Sequence, residues 1–127
     1  MNRNNFYENA AIEEEVLKAS PHKLIRLLFE KCDNLLNCAK AKMTSKKNNE
    51  KCEEIIKAIN IYEYLITCLN YHDKESEKLS LQLHELYSFS INELYLSYNE
   101  NDKNKLDNAM NVLQTLKAAW LGIEGKV

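Results

Sequence analysis

Residues 20–43 read SPHKLIRLLFEKCDNLLNCAKAKM, and this stretch decides the fold class. A serine followed by a proline is a strong helix start, because serine can cap free backbone N–H groups and proline is tolerated at the first helical position. Apolar residues then recur every three or four positions in two adjacent rows: Leu24, Leu28, Leu35, Ala39 and Met43, and Ile25, Phe29, Cys32 and Leu36. This spacing predicts an amphipathic helix with a broad apolar face.

Three more segments with helical periodicity follow, separated by polar breaks at 44–49, 70–73 and 99–101. The stripe of the second segment consists of Cys52, Ile55, Ile59, Tyr62, Ile66 and Leu69. The stripe of the third consists of Leu79, Leu83, Leu86, Tyr87, Ile91, Leu94 and Tyr98. The fourth has Asp102 as its expected N-cap and Gly122 as its expected C-terminal cap, and its stripe consists of Leu106, Ala109, Met110, Leu113, Leu116 and Trp120.

The breaks between these segments are short, and short links between long helices force antiparallel neighbours. Each segment is about twenty residues, or roughly 30 Å of helix. The sequence therefore predicts an all-α, single-domain protein over residues 1–127. Residues 20–123 would form an antiparallel up-down-up-down four-helix bundle. Residues 1–19 would form an N-terminal arm or a short extra helix that packs on the bundle.

The composition supports this fold class and excludes several functions. The 127 residues include only two Gly and one Pro, so few hairpins or phosphate-binding loops can form. The formal net charge is -2 with acids and bases interleaved, which does not fit a nucleic-acid-binding surface. No apolar run is long enough to span a membrane, no signal peptide is evident, and the four cysteines form no CxxC pair. We therefore expect a cytoplasmic protein with reduced thiols.

Catalytic and metal-binding patterns find little support. Cys68 and His72 are four residues apart and could share a metal on one helical face, but no second pair completes a zinc site. His84 lies on the third helix, where phosphotransfer bundles carry an exposed histidine. Its apolar neighbours instead predict a half-buried structural residue, and His22 is expected on an exposed first turn. We predict no enzyme activity, no metal and no cofactor, with a phosphotransfer-type bundle using His84 as the alternative function.

One apolar set exceeds what the four stripes need. These residues lie off the main stripes, and they are Ile61, Leu65, Cys68, Leu81, Phe89, Leu96, Val112 and Ala119. Broad apolar surfaces on helices either fill a core or form a groove for a partner. The sequence pattern alone leaves both interpretations open.

Several short segments resemble one known family. Residues 19–25 read ASPHKLI and are followed by LLF at 27–29. Further matches are KAINI at 57–61, ELYSF at 85–89, the Asn101-Asp102 turn and AAW at 118–120, while Tyr7 matches an aromatic residue in the N-terminal arm. These segments occur in the order and spacing typical of the flagellar secretion chaperone family, FliS. The chain departs from that pattern in ending soon after Trp120 and in its Tyr71-His72-Asp73 segment.

The resemblance implies a concrete function. Such a chaperone binds the disordered C-terminal segment of flagellin in the cytoplasm, prevents premature polymerisation and delivers flagellin to the flagellar type III export gate. The segment would fold as it binds along hydrophobic grooves. The expected groove residues are Ile61, Leu65, Leu81, Phe89, Leu96 and Val112, with Tyr7 as part of an N-terminal lid that the flagellin segment displaces. The expected core residues are Leu24, Leu28, Ile59, Leu86, Leu113 and Trp120, and the protein is expected to be a monomer or weak dimer.

Overall fold

The computed structural model describes residues 21–45 and 52–123 and places them in four helices. These are α1 (Pro21–Thr44), α2 (Glu53–Thr67), α3 (Lys74–Glu100) and α4 (Lys103–Ile123). Each helix packs against its neighbours in chain order, and α4 closes against α1. The predicted all-α bundle is therefore confirmed for the part of the chain described. The arm at 1–19 and the capping residue Ser20 lie outside the described residues.

Contacts between helix ends show that the helices are antiparallel. Near the end of α1, Lys42 Nζ lies 2.6 Å from Oε2 of Glu54, which is in the first turn of α2. Near the end of α4, Trp120 Nε1 donates a hydrogen bond of 3.0 Å to the backbone carbonyl of His22 at the start of α1. The second contact shows that α4 runs antiparallel to α1, and the short links between consecutive helices make neighbours antiparallel, so the up-down order follows.

The α3–α4 turn behaves largely as predicted. Asp102 Oδ1 accepts a hydrogen bond from the backbone N–H of Asn104 at 2.9 Å, so Asp102 is the N-cap of α4. Asn101 before it takes the left-handed conformation, with φ 54° and ψ 41°, which ends α3. Gly122 was predicted to cap α4, but it lies within the helix, which continues to Ile123, so that prediction is wrong.

The α2–α3 turn separates Cys68 from His72, the two residues considered as possible metal ligands. Helix α2 ends at Thr67, and Cys68 is its C-cap, so Cys68 and His72 do not share a helical face. The chain then bends into α3, where the Asp73 carboxylate caps the helix by accepting the backbone N–H of Ser76 at 2.8 Å. Hydrogen bonds from Ser76 hold the pKa of the Asp73 carboxyl below its usual value. This turn therefore serves to start α3.

The core is made mainly by α1, α2 and α4. Its members are Leu28, Phe29, Cys32, Leu35, Leu36, Ala39, Cys52, Ile55, Ala58, Ile59, Ile61, Tyr62, Leu65, Tyr87, Leu94, Leu106, Ala109, Leu113 and Leu116. Helix α3, although the longest, contributes only Tyr87 and Leu94 to this set.

Five of the six expected core residues pack in or against this core. Leu28, Ile59 and Leu113 are buried, while Leu24 and Trp120 are partly buried against it. The sixth, Leu86, is 37% exposed, so its assignment to the core is wrong. The inward line of α3 runs through Tyr87, and Leu86 lies roughly 100° around the helix from that residue.

Candidate functional site

Helix α3 turns many of its large apolar residues toward solvent. Eight large hydrophobic residues are exposed in the described part of the chain, and five belong to α3: Leu79, Leu81, Leu86, Phe89 and Tyr95. Four of the six buried residues of α3 are polar or charged: Ser80, Ser90, Glu93 and Ser97. This arrangement reverses the usual pattern of a bundle helix. So many exposed apolar side chains on one helix indicate that part of its surface is available to a partner.

One contact fixes how α3 and α4 lie side by side. Glu93 Oε1 accepts a hydrogen bond of 2.8 Å from Asn108 Nδ2, so these two residues face each other across the helix pair. Phe89 precedes Glu93 by about one turn, and Val112 follows Asn108 by about one turn. Because the helices are antiparallel, Phe89 and Val112 also lie across from each other.

The same register defines a continuous outer surface along the two helices. Residues three, four or seven positions apart share a helix face, which places further residues beside this pair. We call the resulting surface the α3–α4 face, and it consists of Leu86, Phe89, Leu96, Val112, Thr115 and Ala119. Its α3 side is large and apolar, and its α4 side is small. A segment lying along it could therefore approach the α4 backbone while packing against the leucine and phenylalanine side chains.

The α4 side of this face has little charge. From Asn108 to the end of α4 the sequence contains one charged residue, Lys117. Lys117 Nζ lies 2.9 Å from Asp33 Oδ2 on α1, so this cation belongs to the opposite side of α4. Asn108, Asn111 and Thr115 are the exposed polar residues near the face. The α4 side of the surface therefore fits an uncharged, largely apolar segment better than a charged one.

The structure brings three of the predicted groove residues together. Phe89 is 45% exposed, Leu96 and Val112 are partly buried, and all three belong to the α3–α4 face. Leu81 is also exposed, but it lies about 80° around α3 from Phe89. The role of these four residues in flagellin binding stays a prediction. Tyr7, the predicted lid residue, lies outside the described residues.

Ile61 and Leu65 need a correction as groove residues. Both are buried among the side chains of the hydrophobic core, so neither belongs to the exposed α3–α4 face. Helix α2 packs against both α1 and α3, so its apolar stripe must be wide enough to fill two interfaces. The off-stripe position of these residues reflects that second interface.

The exposure of Leu86 and Tyr95 was not predicted from the sequence. A usable signal was present in α3, because Ser80, Tyr87 and Leu94 are spaced by seven residues, and Ser90 and Ser97 are as well. That spacing marks the side facing neighbouring helices, whatever the hydrophobicity of its members. Assigning the inward side by spacing would have placed Tyr95 outside it, whereas Leu86 lies only about 20° around the helix from the buried Glu93, so its exposure depends on the packing.

The two histidines singled out earlier differ from expectation. His84 is exposed on α3, so the prediction that it is half-buried is wrong. His22 was expected on an exposed first turn, but it is partly buried and stacks on Trp120 with ring centroids 4.3 Å apart. This stack joins the ends of α1 and α4.

The remaining chemistry of the described residues is that of a buried core. Burial raises the pKa of the Cys32 thiol to about 12, so it stays protonated and unreactive at neutral pH.

Residues 21–45 and 52–123 contain no group of three or more His, Cys, Asp or Glu side chains placed to hold a metal ion. None of the helices in these ranges is long and apolar enough to cross a membrane.

Comparison with known proteins agrees with the sequence resemblance. Residues 3–127 match the family model described as flagellar protein FliS. The flagellar secretion chaperone FliS of Vibrio cholerae is 28% identical over 114 residues, covering 90% of this chain and 82% of that protein. The FliS of Salmonella typhimurium is 29% identical over 120 residues, covering 94% of this chain and 88% of that protein. Flagellar secretion chaperone FliSB of Pseudomonas aeruginosa is 32% identical over 117 residues, covering 92% of this chain and 91% of that protein. Since the family match extends over nearly the whole chain, the protein belongs to the FliS family of flagellar secretion chaperones.

Proposed function

We propose that this chain binds the disordered C-terminal segment of flagellin in the cytoplasm, prevents its premature polymerisation and delivers it to the flagellar type III export gate. Membership of the FliS family supports the role in flagellar export. The observation that carries the binding site is the outward apolar surface of α3. This surface continues onto the uncharged outer side of α4.

The α3–α4 face suits a segment that folds as it binds. An amphipathic helix or extended segment lying along it would bury its own apolar residues against Leu86 and Phe89. An exposed phenylalanine between smaller neighbours is a good anchor, because aromatic side chains bury a large area and lose few rotamers on binding. The segment would order only on the chaperone, so its polymerising surface would stay covered until export.

Two further parts of the proposal concern the whole protein. Tyr7 and the rest of the N-terminal arm would cover part of the same surface in the free chaperone, and flagellin would displace them. The chaperone would act as a monomer or weak dimer, since one exposed face is enough for one flagellin segment. Light scattering at several concentrations tests the oligomeric state.

Calorimetric titration with a peptide gives the direct test of binding. The peptide is the C-terminal segment of the flagellin encoded in the same genome. We expect sub-micromolar affinity and a negative heat-capacity change, which reports apolar burial coupled to folding. If a well-folded sample does not bind this peptide, the proposed function is wrong.

Two matched substitutions test the location of the site. Phe89 and Tyr95 lie on the same helix and are 45% and 44% exposed, but they lie about 120° apart around it. Phe89→Asp places a charge within the α3–α4 face and is expected to weaken binding at least about 100-fold, as for a central interface residue. Tyr95→Asp should change affinity by less than about threefold, because single rim charges contribute little. Equal loss in both variants would contradict the location.

The phosphotransfer alternative has one observation in its favour, the exposure of His84. The family to which the chain belongs is one of secretion chaperones and not of phosphotransfer enzymes. We therefore do not propose it. Incorporation of phosphate from acetyl phosphate that is lost in His84→Ala would reopen that alternative.

A further inference from the structure

A single carboxylate is buried within the α3–α4 face. Among the buried residues of the described chain, Glu93 alone carries a charge, and it is 5% exposed. It lies about one turn from both Phe89 and Leu96, at the centre of the apolar α3 side. Charged residues are rarely buried unless they are paired or have a functional role, so this position requires an explanation.

The partners of Glu93 account for only part of its hydrogen-bonding capacity. Its Oε1 accepts one hydrogen bond from the neutral amide of Asn108 at 2.8 Å. Its Oε2 lies 3.9 Å from Lys105 Nζ, which is beyond hydrogen-bond distance. In the described part of the chain no other group donates to this carboxylate, which can accept about four hydrogen bonds. Oε2 therefore has the long ion pair with Lys105 as its only partner among the described residues, and because it is not sealed from solvent it can accept from a further donor.

We propose that Oε2 of Glu93 accepts a hydrogen bond from an uncharged N–H or O–H group of the bound flagellin segment and so fixes its register. This inference rests on the proposed function. The donor is expected to be uncharged because Lys105 on α4 already supplies the positive charge beside Glu93. A backbone amide at the start of a bound helix, or an Asn, Gln, Ser or Thr side chain, has the required chemistry.

The apolar contacts of the face cannot set the register by themselves. Sliding a bound helix by one turn replaces one apolar contact with another of similar energy. A single buried polar group distinguishes the registers, because only one of them satisfies it, as a lone buried polar residue does in coiled coils. Glu93 is thus a specificity residue, while Phe89 supplies affinity.

The substitution Glu93→Gln tests this assignment. Glutamine keeps the size of the side chain and can still accept from Asn108, but it removes the charge and replaces one acceptor with a donor. We expect the Kd for the flagellin peptide to rise about tenfold, as for the loss of one hydrogen bond to a charged group. The thermal stability of the free protein should be unchanged or higher, because a poorly paired buried charge is removed.

The control is Glu77→Gln, which makes the same chemical change at an exposed position of α3. Glu77 lies about 160° around the helix from Glu93, so its variant should bind the peptide like the unmodified chaperone. Wild-type affinity in Glu93→Gln would overturn the proposed role of Glu93 and leave the flagellin-binding proposal standing. Failure of the unmodified protein to bind would instead reject the flagellin-binding proposal itself.

A second readout reports register directly. A photo-crosslinking residue at one position of the peptide should react with one cluster of α4 residues in the unmodified chaperone, mapped by mass spectrometry. In Glu93→Gln the crosslinks should spread over neighbouring turns, an effect that a purely structural role would not produce. Should that variant fail to fold, crosslinks already spread over several turns in the unmodified protein would overturn the inference.

Discussion

Helices α2 and α3 use their apolar residues in opposite ways. Helix α2 has 15 residues and buries six of them: Ile55, Ala58, Ile59, Ile61, Tyr62 and Leu65. Helix α3 has 27 residues and also buries six, but they are Ser80, Tyr87, Ser90, Glu93, Leu94 and Ser97. The larger apolar side chains of α3 are exposed in greater number than those of α2.

This difference separates residues that stabilise the fold from residues available to a partner. A fully buried leucine or isoleucine contributes about 1.5–3 kcal/mol to folding, whereas a buried serine contributes much less and needs a hydrogen bond. The hydroxyls of Ser90 and Tyr62 are both buried and lie close to each other, but they do not form a hydrogen bond of good geometry. Helix α3 is therefore held less strongly to the bundle than its length suggests, and its outer surface carries the apolar groups that a partner can bury.

The largest expected difference between α2 and α3 is in how much a truncated side chain lowers the free energy of unfolding. Leu65→Ala removes a buried side chain from α2 and is expected to lower the free energy of unfolding by about 2–5 kcal/mol. Leu81→Ala makes the same truncation at an exposed position of α3 and should change it by no more than about 0.5 kcal/mol. Urea denaturation monitored by circular dichroism measures both. Similar losses in the two variants would show that α3 packs as firmly as α2.

The smallest expected change in stability concerns a buried serine on the inner side of α3. Ser90→Ala removes a buried hydroxyl that makes no hydrogen bond of good geometry with its neighbour Tyr62, and alanine is also the better helix former. We expect the free energy of unfolding to rise by about 1 kcal/mol. Ser88→Ala, at an exposed position of the same helix, gains only the helix preference and should rise by about half as much. A loss of stability in Ser90→Ala would mean that its hydroxyl is in fact satisfied.

The sequence was sufficient for the fold because local signals agreed with each other. Apolar periodicity, the Asp102 cap and the short breaks all indicate an antiparallel bundle, and the structure has one. Hydrophobicity also located the core where the inward side is apolar, as at Leu28 and Leu113. These features depend on residues close in sequence, so one chain is enough to predict them.

Hydrophobicity did not predict the core correctly where the inward side of a helix is polar. In α3, hydrophobicity assigned Leu86 to the core, although the inward line runs through serines. In α2, it could not show that two neighbouring helices would bury Ile61 and Leu65. Which apolar residues remain exposed depends on how the helices pack, and that information is not local. The buried Glu93–Asn108 pair depends on the α3–α4 register in the same way.

Hydrogen exchange of the chaperone with and without the flagellin peptide measures both the stability difference between α2 and α3 and the location of the bound segment. The account predicts that amides in the middle of α3 exchange about tenfold faster than those of α2 in the free protein, as for a less stable local unit. On binding, exchange should slow mainly in α3 and α4, because the peptide covers their shared outer face. Equal exchange in α2 and α3, or protection that appears chiefly on α1 and α2 when the peptide binds, would contradict the account.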